Sequence, residues 1–394
     1  MFTRKIYPAV KKHLASSQIT VITGMRRVGK TTLVKSLLKD LRTKNKIYLD
    51  LERLDLRELF QTKNYDNVLN FLRQQGINTK QKMYIALDEI QLVPNIASIL
   101  KYLHDNDDYQ IKFIATGSSS YYLKNLFTES LAGRKKIFTL HTLDFGEFLT
   151  FKKITFAPEN FLKTSFDPTE YERLRAYYEE FINYGGFPEV ALTEIPEEKE
   201  DLLFDILNSY INIDVRALSD FKNIDNLNRL LKVLVPRVAN RLDYSKLASL
   251  SGLNRATVKN YLDFLEKTYF ISRVSVFTKS PDREIVKAQK LYFEDNGFLK
   301  ILGDANSGAI FENAIFNQLK HLGSLQYYAR KNGLEIDFIL DQKIALEIKE
   351  TPVNQDQKNL SNLAKNIGLN NFHLIGRFTS PKFADFIWGG KVFA

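Results

Sequence analysis

The chain has 394 residues, enough for two or three domains, and its 44% hydrophobic and 26% charged residues are ordinary for a globular protein. It has no cysteine, which excludes disulfides, thiolate metal sites and cysteine nucleophiles, and its five scattered histidines leave metal chemistry to carboxylates and a Mg²⁺-like ion. The net charge of +10 favours polyanionic partners, DNA first among them. Lack of cysteine fits a reducing cytosol, no apolar run is long enough to span a membrane, and Met1–His13 has no signal-type apolar core, so a cytoplasmic protein without membrane association is expected.

The first predicted strand is Ile19–Thr23, followed by Gly24-Met25-Arg26-Arg27-Val28-Gly29-Lys30-Thr31 and then a helical pattern through Leu33, Val34, Leu37, Leu38 and Leu41. Strand, Gly-rich loop and helix, with every fixed position of G-x-x-x-x-G-K-[ST] filled, predict a phosphate-binding loop. Its backbone N–H groups wrap phosphates, the lysine reaches the β- and γ-phosphates, and the Thr31 hydroxyl binds Mg²⁺. Residues Gly24 to Thr31, with Thr32 behind them, are the expected ATP-binding set.

A second strand is expected at Ile47–Leu51 and a third at Met83–Leu87, running straight into Asp88-Glu89. An apolar strand ending in two acids behind a P-loop supplies what hydrolysis needs. Asp88 would hold Mg²⁺ with Thr31, and Glu89 would orient or deprotonate the attacking water. The next strand, Ile111–Ala115, leads to Thr116-Gly117-Ser118-Ser119-Ser120. Thr116, Ser118 and Ser119 are candidates to sense the γ-phosphate, and the same residue types would also cap a helix. Strands alternating with helices, all with sites at strand C-termini, imply a parallel doubly wound sheet. Arg134, in Leu131-Ala132-Gly133-Arg134, is a candidate to stabilise transition-state charge, in cis or from a neighbouring subunit; a surface ion pair is the competing reading.

These four motifs, in this order, resemble an AAA-type ATPase module found in many prokaryotic proteins. The resemblance implies ATP and Mg²⁺, oligomer assembly as a possibility, and Lys30, Glu89, Ser118 and Arg134 as catalytic positions.

Residues 151–225 read as helical. Gly185-Gly186-Phe187-Pro188 is a turn that resembles one in the same ATPases, and Asp214 and Arg216 are further candidates to reach the nucleotide. From Asp243 the spacing becomes that of a helix-turn-helix, with a short capped helix, the turn Ser251-Gly252-Leu253 and a second helix from Asn254. The alternation over Tyr269–Phe277 reads as a wing. In a DNA-binding winged helix the second helix would present Asn254, Arg255, Thr257, Lys259 and Asn260 to the groove, with Arg273, Lys279, Arg283 and Lys287 near phosphates. A winged helix used only for packing is the alternative.

In the last segment, Glu312 lies on an amphipathic helix, Asp337 on an alternating strand and Glu347-Ile348-Lys349 at the end of the following one. Alternation puts Glu347 and Lys349 on one face. Two carboxylates and an ammonium that converge can hold Mg²⁺ against a phosphodiester. The pattern resembles the PD-(D/E)-x-K restriction-endonuclease-like fold, with Ile336 in place of its proline. An active nuclease, a degenerate binding domain and an unrelated hairpin all stay open.

The fold class expected is α/β: an AAA-type P-loop parallel-sheet module at 1–150, a helical region at 151–225, a winged-helix-like domain at 226–290 and an α/β restriction-endonuclease-like domain at 291–394. The function expected is a DNA-associated ATPase. An ATP-controlled Mg²⁺-dependent nuclease and a nucleotide-gated switch for a protein partner are the alternatives.

Overall fold

The computed structural model describes residues 4–61, 64–106, 108–118, 131, 133–157, 159–216, 224–278, 288–330 and 333–393. The chain divides into two compact units. One comprises Met1–His141 with Asn212–Ser219 and Lys267–Tyr269; the other comprises Thr142–Ile211, Asp220–Glu266 and Phe270–Ala394.

The first unit is built on five strands, β1 (Ile19–Thr23), β2 (Lys46–Asp50), β3 (Met83–Asp88), β4 (Ile111–Gly117) and β5 (Lys135–Thr139). All neighbours pair in parallel, in the order β2-β3-β4-β1-β5. β1, β3 and β4 have almost no exposed position, the reading expected of parallel strands covered on both faces. Ile19, Val21, Ile85, Leu87 and Phe113 pack with the helices Leu54–Gln61, Asp66–Gln74 and Ile96–Asp105. The P-loop helix Lys30–Asp40 buries Leu33, Val34, Leu37 and Leu38. β4 lies between β1 and β3, so Thr116 and Gly117 at the end of β4, with Ser118 just after them, fall between the P-loop and Asp88-Glu89.

The second unit carries a seven-stranded mixed sheet. Its strands are β6 (Ile271–Val276), β7 (Lys290–Phe293), β8 (Leu325–Ala329), β9 (Glu335–Leu340), β10 (Ile344–Lys349), β11 (Asn371–Gly376) and β12 (Ile387–Trp388). Their order is β12-β11-β10-β9-β8-β6-β7. The helix Asn354–Asn366 covers β9 and β10 through Leu360, Leu363 and Ala364. Two helices stand on either side of the Ser251-Gly252-Leu253 turn. Asp243 caps Tyr244–Ser251 by accepting from the N–H groups of Ser245 and Lys246, Gly252 ends it in the left-handed region, and Arg255–Lys267 follows. The expected wing differs. β6 pairs antiparallel with β7 and also parallel with β8, through Ser275↔Gln326 and Val276↔Tyr327. The hairpin is therefore part of the C-terminal sheet, and the boundary expected at 290/291 falls inside β7.

The Gly185-Gly186 turn has a packing reason. A Cβ at Gly185 would meet Asp295 Oδ1 at 1.7 Å and one at Gly186 the Leu143 carbonyl oxygen at 2.2 Å. Asp295 accepts the N–H groups of Gly186 and Gly297, both at 2.8 Å, and burial pushes its carboxyl up to about 6. Among the described residues no helix is long and apolar enough to cross a membrane.

Candidate active site

The P-loop leaves β1 through Gly24, whose φ of 146° and close approach to the Leu140 carbonyl oxygen, 2.0 Å from any Cβ, admit only glycine. Arg27 and Gly29 also take positive φ, and Lys30 opens the helix. A run of such residues turns successive N–H groups toward one concavity, the geometry that holds phosphate. Arg4 braces the loop from outside, donating to the Val28 carbonyl at 2.8 Å and the His141 carbonyl at 2.7 Å. Met25 and Val28 are buried beneath it.

Lys30 is buried and its ammonium donates to the carbonyls of Gly24 at 3.0 Å and Met25 at 2.9 Å. Burial lowers its pKa, against the pull of Glu89 and Asp214. At the tip of β3, Asp88 accepts three hydroxyls. Thr31 Oγ1 lies 2.6 Å and Tyr48 O–H 2.5 Å from Oδ2, and Thr116 donates to Oδ1. Thr31 and Asp88 are hard oxygen donors in contact, a set that fits Mg²⁺.

Glu89 has φ 56° and ψ 48°, a left-handed conformation that a glutamate adopts at a cost of about 1–2 kcal/mol. Its N–H donates to Thr116 Oγ1 at 3.1 Å, and its carboxylate accepts from the Gln91 amide. Gln91 also donates to Ser118 Oγ at 3.0 Å, Ser118 donates to Asp214 Oδ1 at 2.7 Å, and Arg26 Nε donates to Asp214 Oδ2 at 3.1 Å. A continuous chain of hydrogen bonds thus runs from Glu89 through Gln91, Ser118 and Asp214 to the P-loop. Asp214 joins the site and Arg216 is solvent-exposed. Ser119 lies outside the described residues. Arg4, Tyr48 and Gln91 are additions to the expected set. Gln91 had a local signal, a polar residue two positions after Glu89; Arg4 and Tyr48 had none.

Arg134 requires a correction for its own site. β1 and β5 run parallel with Ile19 opposite Lys135 and Thr23 opposite Thr139. Arg134 precedes Lys135, so it stands beyond the end of β1 away from Gly24, about 20 Å along the strand direction. There it pairs with Asp105 at 2.6 Å. It does not reach the phosphate loop of its own chain.

In the second unit, Asn254, Arg255, Lys259 and Asn260 are exposed and Thr257 is half-buried. The Asn254 side chain caps its helix, accepting the Thr257 N–H at 2.8 Å. Arg273 is not a surface cation. Its guanidinium is largely buried and bonds Glu266 at 3.0 Å, Asp263 at 2.7 Å and the Tyr244 hydroxyl at 3.2 Å. Burial alone would lower its pKa, yet the carboxylate of Glu266 carries it above the ordinary value. Lys279, Arg283 and Lys287 lie outside the described residues.

The four residues expected to converge on Mg²⁺ near the C-terminus are brought close but divided. Glu347 pairs with Lys349 at 2.7 Å. Asp337 and Glu312 instead share the ammonium of Lys290, at 3.1 and 3.2 Å. Lys290 was not among the expected residues. Its signal was a cation heading the apolar run Leu291-Tyr292-Phe293, where a buried charge needs a partner. Among the described residues no three His, Asp or Glu side chains are arranged to hold a metal ion.

Comparison with known proteins agrees with the first unit's geometry. Residues 16–149 match the family described as an AAA domain; 175–308 and 307–378 match two domains of unknown function, DUF8612 and DUF4143. The chain is 27% identical over 377 residues to an uncharacterized protein of Methanocaldococcus jannaschii, covering 92% of this chain and 82% of that one. It is 24% identical over 352 residues to an uncharacterized protein of Haemophilus influenzae, covering 84% and 83%. Among solved structures, the ADP form of the Aeropyrum pernix ORC2 protein aligns over 73% of this chain and 87% of its own, at 15% identity and a TM-score of 0.36. Residues 16–149 thus carry a P-loop nucleotide-binding module of AAA type.

Proposed function

We propose that this protein binds and hydrolyses ATP at the P-loop and couples the hydrolysis to the handling of DNA. The observation that carries the hydrolytic half is the tip of β3, where Asp88 is bonded to Thr31 of the P-loop and Glu89 follows directly beside Thr116. In this reading the Lys30 ammonium exchanges two backbone carbonyls for phosphate oxygens. The P-loop N–H groups hold the remaining phosphate charge. Thr31 and Asp88 would hold Mg²⁺, which would supply neutralisation of phosphate charge. Glu89 leaves Gln91 and orients the attacking water, taking its proton as the water oxygen bonds the γ-phosphorus and the bond from that phosphorus to the β–γ bridging oxygen breaks, with ADP and phosphate as products. Ser118, freed from Gln91, faces the γ-phosphate, and Arg26 shifts its charge from Asp214 toward the phosphates.

Wild-type protein is expected to hydrolyse ATP, and Glu89→Gln to bind it with little change while turnover falls by about 10²–10⁴-fold. Binding measured with a fluorescent ATP analogue separates the two effects. Activity of the variant equal to wild type would remove Glu89 from the chemistry.

Arg134 lies at the end of the sheet away from its own loop, so its proposed role is in trans, in a homo-oligomer. Mixing inactive Arg134→Ala with inactive Glu89→Gln protein is then expected to restore part of the turnover. A mixture as inactive as its components removes that role.

The DNA half is supported by the net charge of +10 and by exposed Arg255 and Lys259 on the second helix of the helix-turn-helix. Affinity for duplex DNA is expected to fall steeply with salt through counterion release. No binding at low salt would turn the reading toward a nucleotide-gated switch for a protein partner.

A further inference from the structure

The C-terminal resemblance implies a divalent metal held by Glu312, Asp337 and Glu347, and the residues present do not fit one. We infer that the ammonium of Lys290 is the resident cation of this carboxylate cluster, and that the cluster takes up no divalent metal while Lys290 is in place.

The geometry is that of a filled cation site. Lys290 Nζ lies 3.1 Å from Asp337 Oδ1, 3.2 Å from Glu312 Oε1 and 3.3 Å from Glu335 Oε1. An ammonium has three hydrogens to give; Asp337 on β9 and Glu312 on the helix Ser307–Leu319 accept hydrogen bonds from it, and Glu335, also on β9, forms an ion pair with it. Two of the carboxylates accept further hydrogen bonds. Glu312 Oε1 accepts the Tyr292 hydroxyl at 2.7 Å, and Asp337 Oδ2 accepts the backbone N–H of Ile348 at 2.9 Å. A Mg²⁺ ion needs oxygen ligands at about 2.1 Å in an octahedron. It would have to occupy the volume the ammonium fills and would meet a like charge there.

Lys290 is not a swinging arm. Its side chain is 1% exposed and its backbone is fixed on two sides, opposite Val274 in β6 and in a bridge with Arg241. The fourth acid does not rescue the site. Glu347 Oε1 is taken by Lys349, and its Oε2 is buried without a hydrogen-bond partner. It lines a cleft of about 470 Å³ with Arg330, Glu335, Lys349 and Asp356. A lone carboxylate beside a lysine does not make a metal-activated nucleophile, which needs several ligands held around an open coordination position. The inference goes beyond the nucleotide reading and does not depend on it.

The test is Mn²⁺ titration of the full chain without nucleotide, followed by the loss of the free-ion EPR signal. The wild type and Asp337→Asn are expected to titrate alike, because the cluster contributes no site. Lys290→Met, which empties the ammonium position but keeps an unbranched side chain, is expected to gain a single Mn²⁺ site. Adding Asp337→Asn to Lys290→Met should lose that site again. A wild-type Mn²⁺ site that disappears in Asp337→Asn overturns the inference, as does a folded Lys290→Met that gains no site. If Lys290→Met does not fold, the wild-type and Asp337→Asn comparison decides alone. A Mg²⁺-dependent plasmid cleavage by wild type that Asp337→Asn abolishes would also contradict it.

Discussion

Two buried lysines, each beside acidic residues, distinguish the two units. Lys30 has Asp88, Glu89 and Asp214 nearby, but its ammonium bonds the carbonyls of Gly24 and Met25, and burial wins, lowering its pKa. Lys290 bonds carboxylates directly. Burial pulls its pKa down too, but Asp337, Glu312 and Glu335 outweigh it and raise it. The first lysine is held by groups that a phosphate can displace. The second is matched already. A lysine with acids around it is therefore a ligand site or a closed ion cluster according to which atoms the ammonium touches, a property that residue composition alone does not carry.

The sharpest way to break this contrast is to make the same substitution at both positions. Lys30→Met is expected to abolish ATP turnover, by 10²-fold or more on the order of magnitude of a lost transition-state contact, and to change stability by only about 1 kcal/mol. Lys290→Met should leave turnover intact and cost about 3–5 kcal/mol, because breaking a buried pair strands its carboxylates. Turnover assays and urea denaturation on both variants check this. A Lys30→Met protein that is badly destabilised and a Lys290→Met protein that is not would reverse the assignment.

A smaller effect separates the two basic groups of the middle segment. Arg273→Ala is expected to cost about 2 kcal/mol, a value discounted because Asp263 and Glu266 are about a third exposed. It should leave the salt dependence of DNA binding unchanged. Arg255→Ala should be neutral for stability and lower the slope of log affinity against log salt by about 1. Equal salt slopes in the two variants would remove the helix face from the interface.

The last contrast is a pH dependence. Burial, then repulsion from Asp337, pushes the Glu347 carboxyl from its ordinary 4.5 up to about 8, with Lys349 opposing. The folded state therefore holds this proton more tightly than the unfolded chain. The stabilisation is complete below 4.5 and is lost as pH rises through about 8. Glu347→Gln should flatten that decline, by up to about 1.4 kcal/mol per pH unit, in chemical denaturation repeated across the window. A slope in the variant equal to wild type would show that Glu347 is ionised throughout.

Much of the first unit was legible in the sequence because its chemistry is contiguous. Gly24 to Thr31, Asp88-Glu89 and Thr116 each sit where a strand ends, and a parallel sheet brings strand ends together. What escaped were partners distant in sequence. Arg4 reaches Val28 and His141, and Tyr48 reaches Asp88. Arg273 was misread for a different reason. The spacing of basic residues does not report burial, although Asp263 and Glu266, one turn apart on the preceding helix, were a visible pair of acceptors. The boundary expected at 290 failed because β6 joins the C-terminal sheet through β8, a pairing of strands about 50 residues apart that no local pattern records. Lys290 was missed with it, since its role appears only once β7 lies beside the helix Ser307–Leu319.

The most direct test of the account is single-turnover hydrolysis of radiolabelled ATP by wild type and Glu89→Gln, with nucleotide binding measured on the same samples. The account predicts phosphate release by wild type and, in the variant, ATP bound but uncleaved. Cleavage by Glu89→Gln at the wild-type rate, or a wild type that binds ATP and releases no phosphate, would contradict it.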